Sequence, residues 1–119
     1  MATAAVTHGL PGELPVMAAL AVSNMRNLPA DNGSVGFFQM RVGVWERSYP
    51  DYERQPVVQL RWFLDRAASL AGEAKRAPAE YGAWIADVER PEGQFRARFQ
   101  LRLAEARALI RAGCAPARR

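Results

Sequence analysis

The 119-residue chain has very few of the residues from which reactive and metal-binding sites are usually built. Cys114 is its only cysteine and His8 its only histidine. A single cysteine cannot form an intrachain disulfide, and these two residues cannot complete a zinc site or a Cys–His nucleophile. The stretch 33–36 has neither the spacing nor the lysine of a phosphate-binding loop. We therefore expect no metal site and no cofactor.

Long apolar runs are also missing from the chain. None approaches the roughly 18 to 20 residues that cross a bilayer. The first eight residues carry no charged region of the kind that opens a Sec signal peptide, and Pro11 and Pro15 interrupt the next stretch. The sequence predicts no membrane span and no signal peptide, with synthesis in the cytoplasm.

The residues that are present are those of one globular domain. Half of them are apolar, about a quarter are charged, and the formal net charge is +4. Lys75 is the only lysine, so nearly all of the positive charge is carried by arginine. A basic surface favours polyanions, such as nucleic acid or an anionic cell wall, as a diffuse electrostatic preference.

Apolar spacing and the positions of proline predict a mainly α fold with about four helices. We expect them at 12–26, at 56–75, from 78 to the proline at 91, and from there to 113. Loops are predicted at 27–34 and 48–55, with at most a small hairpin at 34–45. The domain is expected to span 9–113, with flexible ends at 1–8 and 114–119.

Several side chains are assigned to the core or to the surface by these patterns. Expected in the core are Trp45, Trp62, Phe63, Phe95 and Phe99. Expected on a solvated face of the last helix are Arg96, Arg98, Arg102, Arg107 and Arg111.

The segment Ser34-Val-Gly-Phe-Phe-Gln-Met40, about a dozen residues after the first helix, carries a family resemblance. It resembles the second motif of soluble-lytic-transglycosylase (goose-lysozyme-like) domains. In that family a helix ends in Glu-Ser-Gly, and after a loop a Ser/Ala-x-Gly-x-x-Gln-Met/Ile segment forms one wall of the sugar cleft. Residues 40–45, 59–63, 84–91 and 100–107 of this chain also resemble the branch of that family found in actinobacteria and their phages.

The resemblance covers residues 9 to 112 and implies a lysozyme-like domain that recognises the glycan strand of peptidoglycan. It also implies action at the cell wall, with a phage tail or a related particle as one setting and its structural proteins as further partners. The position of the catalytic glutamate, however, is occupied by Val22 of Val22-Ser23-Asn24. Valine has no proton for the leaving oxygen. The expected function is therefore a glycan-binding or structural module that has lost catalysis.

Two alternatives stay open. The first is an active lytic transglycosylase or muramidase that cleaves the MurNAc–GlcNAc bond with a different acid. Asp31, in the loop near the cleft, is the best stand-in, since Glu13 points elsewhere and Glu46 is expected to form a surface pair. Asp87 and Glu89 flank the break at 91, and Asp87 is interpreted as a cap or an interhelix partner. The second alternative is a basic helical domain that binds nucleic acid.

The predicted substrate-binding residues each have a structural alternative. Gln39 could direct its amide to a sugar N-acetyl group or satisfy loop backbone groups, and Gly36 could allow close backbone approach or serve packing alone. Ser34 could reach the ligand or cap the turn. Aromatic rings that could stack on sugars are Tyr49, Tyr52, Tyr81 and Trp84. The family's tyrosine motif is not recognisable near Trp84, so its role is not transferred.

Overall fold

A computed structural model of the chain describes residues 1–71, 76–91 and 93–114, with Cys114 described by its backbone alone. The α-helices are α1 (Ala2–Thr7), α2 (Glu13–Ser23), α3 (Pro56–Leu70), α4 (Tyr81–Glu89) and α5 (Leu103–Cys114). Two short strands, β1 (Ser34–Val35) and β2 (Met40–Arg41), pair in antiparallel fashion. Short 3-10 helices lie at Pro78–Glu80, Gly93–Arg98 and Gln100–Arg102. The predicted mainly α class with a small hairpin is confirmed.

The second helix lies at the centre of the domain. It packs against each of the other four helices, and most of its side chains are buried, with Leu14, Met17 and Ala18 fully enclosed. A helix that is apolar on all sides is typical of a fully surrounded position. Two left-handed residues, Asn24 and Met25, then end it, three residues before the predicted end.

The N-terminal residues differ from the prediction of a flexible end. Ala2–Thr7 forms α1, with Ala5 fully buried. Alanine has the highest helix propensity, so a short alanine-rich segment becomes helical once it has a surface to pack on. Here that surface is α2. The predicted tail at 115–119 lies outside the described residues, whereas 114 is the last residue of α5.

The chain after 91 is less regular than the predicted single helix. The 3-10 segments Gly93–Arg98 and Gln100–Arg102 come before α5. Gln100 is tied to α4, because it accepts the N–H of Gly82 at 2.7 Å and donates to the carbonyl of Pro78 at 3.1 Å. This attachment holds the chain against α4 where a continuous helix was expected. The predicted second helix ends at Leu70, and 72–75 lie outside the described residues.

The aromatic predictions are correct in part. Trp62, Phe63 and Phe99 are buried, as expected. Trp45 is only half-buried, and Phe95 is wrong as a core residue because 38% of it is exposed.

Two of the arginines that were expected on a solvated face form ion pairs with other parts of the fold. Arg96 pairs with Asp87 at 2.7 Å, and Arg107 on α5 pairs with Glu13 on α2 at 3.1 Å. Asp87 therefore acts as the interhelix partner that the sequence suggested. Glu46, expected in a surface pair, accepts the backbone N–H of Asp51 at 2.7 Å. None of the helices in the described ranges is both long enough and apolar enough to cross a bilayer.

Candidate functional site

Side chains from two helices hold the hairpin in place. Gln59 of α3 is fully buried; its Oε1 accepts the N–H of Phe37 at 3.0 Å and its Nε2 donates to the carbonyl of Tyr52 at 2.9 Å. The Oγ of Ser23, at the end of α2, lies 2.7 Å from the carbonyl oxygen of Phe37. Both backbone groups of Phe37 are thus bound by buried side chains. Phe38 completes the attachment by stacking on Phe63 with ring centroids 4.8 Å apart.

Gly36 lies where the hairpin backbone meets the side chain of Gln59. It is buried, has a φ of +84°, and a Cβ there would lie 2.6 Å from Nε2 of Gln59. The residue is a glycine because the buried amide passes directly against its backbone. Of the two roles suggested by the sequence, packing is the one that these contacts account for.

A cleft of about 490 Å³ opens beside the hairpin, and we call it the hairpin cleft. The hairpin forms one wall, while the other walls come from α3, the end of α4 and the loop after β2. Its lining residues are Ser34, Gln39, Met40, Arg41, Val44, Trp45, Trp62, Arg66, Val88, Glu89 and Arg90. The cleft therefore combines two indole rings, three guanidinium groups, a primary amide and one carboxyl group.

Arg66 organises the aromatic side of the cleft. Its guanidinium carbon lies 5.2 Å from the ring centroid of Trp45 and 5.6 Å from that of Trp62. The two indoles meet edge to face at 5.6 Å. Such cation–π contacts help to hold a guanidinium in place. The positive charge of Arg66 thus remains beside the cleft.

Glu89 supplies the carboxyl group. It is the last residue of α4, and its side chain is half-buried. Its Oε2 is enclosed and has no hydrogen-bond partner among the described residues, and the same is true of Nε1 of Trp62 and Nε of Arg66. Burial raises the pKa of Glu89 well above its ordinary value near 4.5, and the opposing effect of Arg66 is smaller. Three enclosed polar atoms without partners thus belong to residues that line one cleft.

Ser34 and Gln39 both line the hairpin cleft. Gln39 has a φ of +51°, and its Nε2 donates to the carbonyl of Gly36 at 2.9 Å, which fixes the orientation of the amide. Tyr49 lines a smaller adjoining cleft that shares Trp45, Arg66 and Arg90 with the first. The hydroxyl of Tyr49 donates to Asp65 at 2.8 Å.

Val22 and Asp31 are not among the residues that line the hairpin cleft. Val22 is on the last turn of α2, half-buried against the core, and is not among the residues that line the hairpin cleft. Asp31 is exposed, and its backbone N–H and carbonyl pair with those of Ser34 at 2.9 and 3.0 Å. Neither residue places a functional group in the hairpin cleft.

Three of the predicted stacking rings are core residues instead. Tyr52 is fully buried and donates its hydroxyl to the carbonyl of Arg41 at 2.6 Å. Tyr81 and Trp84 are 8% and 4% exposed, and the indole N–H of Trp84 donates to the carbonyl of Ala67 at 2.9 Å. Their faces are covered by the protein, so the prediction that they stack on sugars is corrected.

The residues that sequence reasoning missed are polar groups on otherwise buried helix faces. Gln59 lies three and four positions before Trp62 and Phe63, and Glu89 lies four after Ile85. A polar residue three or four positions from buried apolar residues lies on the same face of the helix, where it needs a hydrogen-bond partner or a function. This spacing is the sequence signal that could have identified Gln59 and Glu89. Comparison of the chain with protein-family models, with curated proteins and with solved structures finds no match, so the interpretation of the cleft rests on its own residues.

Proposed function

We propose that this chain is a lysozyme-like domain that binds a peptidoglycan glycan strand in the hairpin cleft. The observation that carries the proposal is that Ser34 and Gln39, the two polar residues of the hairpin motif, line one cleft with the half-buried indole of Trp45. An N-acetylated sugar offers amide and hydroxyl groups at its edge and an apolar face. A concave site that combines oriented polar groups with aromatic surface suits such a ligand.

The fixed hairpin supports selective binding. The Nε2 of Gln39 is already held by Gly36, so the amide is presented in one orientation without further loss of side-chain entropy. Arg41 and Arg90 add hydrogen-bond donors at the sides of the cleft. Guanidinium groups suit the hydroxyls of a sugar and the lactyl carboxylate of a strand from which the peptide has been removed.

Binding does not require a proton from position 22. Val22 has none to give and does not line the cleft, so the proposed role is recognition of the strand, within a particle such as a phage tail or as part of a larger assembly. Any acid for cleavage would have to come from another residue.

The test is sedimentation of the purified chain with insoluble peptidoglycan, using Gln39→Ala and Trp45→Ala as variants. Loss of one well-made hydrogen bond or one stacking contact is expected to weaken binding about tenfold. Gln55→Ala and Phe95→Ala are matched controls, because these residues are exposed and do not line the cleft. Equal binding by all variants would contradict the proposed site.

Salt dependence separates the proposal from the nucleic-acid alternative, for which the three arginines of the cleft are the favourable observation. Binding to duplex DNA releases many counterions and weakens steeply with salt, whereas binding to a glycan strand weakens much less, because its lactyl carboxylates are far more widely spaced than the phosphates of a duplex. Titrations with duplex DNA and with a peptide-free glycan strand at two salt concentrations give the comparison. Tight, salt-sensitive DNA binding without glycan binding would overturn the proposal.

A further inference from the structure

We infer that Glu89 is the proton donor for cleavage of a glycosidic bond in the hairpin cleft, so that the chain is an enzyme whose acid lies on α4. The inference rests on the proposed function, because the substrate is the glycan strand bound in that cleft. It departs from the expectation, based on Val22 alone, that catalysis is lost.

The isolation of Glu89 distinguishes it from the other acids. Among the described residues, every other aspartate and glutamate except Asp31 binds a cation or an N–H or O–H donor. Asp31 is exposed to water, whereas Oε2 of Glu89 is enclosed and has no hydrogen-bond partner in the described part of the chain. A buried carboxyl group that serves the fold alone is normally paired or hydrogen-bonded.

The surroundings of Glu89 favour its protonated form. Burial raises its pKa, and the carbonyl dipoles at the C-terminal turn of α4 further disfavour an anion at that position. The charged groups that line the same cleft are Arg41, Arg66 and Arg90, and among these Arg66 opposes the effect of burial. A carboxylic acid whose pKa is raised keeps its proton at a higher pH than an ordinary glutamate, and such an acid suits proton donation to a leaving oxygen.

The geometry of the cleft allows this donation. Glu89 lines the cleft, and of its two carboxyl oxygens only Oε2 is among the enclosed atoms without a partner in the described part of the chain. Gln39 lies on the hairpin wall of the same cleft, where it would bind the N-acetyl group of a sugar. A strand held by the hairpin would thus lie in the cleft that Glu89 lines.

The reaction balances with one water molecule. Glu89 transfers its proton to the bridging oxygen, and the C1–O bond breaks with its electron pair going to that oxygen. The water oxygen bonds to C1, and one water proton passes to the carboxylate and restores the acid. If the sugar's own 6-hydroxyl replaces water, its proton returns to Glu89 in the same way and the product is an anhydro sugar lighter by one water.

The experiment measures binding and cleavage on the same purified peptidoglycan. Sedimentation reports binding, and mass spectrometry of the released soluble fragments reports cleavage. We expect the wild-type chain to release fragments and Glu89→Gln to cleave at least a hundredfold more slowly while still sedimenting with peptidoglycan. Glu105→Gln, the same change on the exposed face of α5, is the matched control and should cleave like the wild type.

A pH profile adds a readout that a structural role would not move. Cleavage by the wild type should fall at high pH as Glu89 loses its proton, while circular dichroism shows the chain still folded. This measurement keeps the inference testable if Glu89→Gln does not fold. A profile without an alkaline decline would overturn it.

Other outcomes are also decisive. Binding without cleavage by the wild type would overturn the role of Glu89 and leave the proposed function standing, whereas failure to bind would overturn both. If the Val22→Glu variant cleaves peptidoglycan and the wild type does not, the proton donor acts from α2, and Glu89 is excluded. Release of either the hydrolysed or the anhydro product, lost in Glu89→Gln, supports the inference.

Discussion

The backbone N–H of Phe37 donates a part-buried hydrogen bond of 3.0 Å to the side-chain amide oxygen of Gln59, 22 positions along the chain. This bond attaches the hairpin, which contains Ser34 and Gln39, to α3. Because Gln59 is fully buried, water cannot replace the contact when it is lost. The shape of the cleft wall therefore depends on a residue that does not line the cleft.

Gly36→Ala tests how closely the hairpin fits against Gln59. A Cβ at this position meets the Gln59 side chain within 2.6 Å, in addition to the left-handed backbone at φ +84°. Gly33→Ala is the matched control, because Gly33 has the same φ and nothing within 4 Å of the added carbon. We expect Gly33→Ala to cost about 1–2 kcal/mol and Gly36→Ala about 1–3 kcal/mol more, measured by urea unfolding. Equal losses of unfolding free energy in the two variants would show that the Gln59 side chain can move aside at no cost.

The helical framework could be predicted because its signals are local. The apolar spacing of α3 and the proline at its first position place that helix correctly at its start, and the turn formers at 27–34 predict the loop. The formation of α1 could not be predicted, since a six-residue helix depends on packing against α2, which no local pattern reports. The 3-10 turns after 91 depend in the same way on the contact between Gln100 and Gly82.

The site could be predicted only on its hairpin side. Ser34 and Gln39 were found from a contiguous motif, and both line the cleft. From the sequence, Glu89 was noted only for its place beside the break at 91 and Arg66 was not named, because their position beside the hairpin arises from the packing of α3 and α4 and leaves no mark in the spacing of the motif. Trp84 was assigned to a ligand because aromatic composition alone does not distinguish a sugar platform from a core ring.

Trp84→Phe should destabilise the fold through one hydrogen bond. The change leaves the buried carbonyl of Ala67 without its indole donor, which costs about 1–3 kcal/mol. Trp62→Phe is the matched control, because both tryptophans are 4% exposed and the indole N–H of Trp62 has no partner in the described part of the chain. We expect Trp84→Phe to lower the free energy of unfolding more than Trp62→Phe does. The reverse order would indicate that the indole N–H of Trp62 has the more important role.

The ion pair between Glu13 and Arg107 should contribute little in spite of joining α2 to α5. Its atoms lie 3.1 Å apart, but 43% of the Arg107 side chain is exposed, so solvent screens the charges. A double-mutant cycle of Glu13→Gln and Arg107→Gln is expected to give a coupling energy of about 1 kcal/mol or less, and less at high salt. A larger, salt-independent coupling energy would show that the pair is effectively buried.

The pH dependence of stability tests the environment of Glu89 without any substrate. Its pKa in the folded chain is raised by burial above its ordinary value near 4.5, so the folded state binds more protons than the unfolded state between those two values. The resulting stabilisation is complete below about pH 4.5 and is lost as the pH rises through the folded pKa.

Glu89→Gln removes this titration, since an amide does not ionise. We expect the variant and the wild type to have similar thermal stability at low pH, and the variant to become the more stable of the two as the pH rises through the folded pKa of Glu89. Glu105→Gln serves as the control, because Glu105 is exposed and paired at the surface, and its curve should run parallel to that of the wild type. If the curve of Glu89→Gln also runs parallel, the carboxyl group of Glu89 is ionised and solvated in the folded chain, and it cannot be the acid of the cleft.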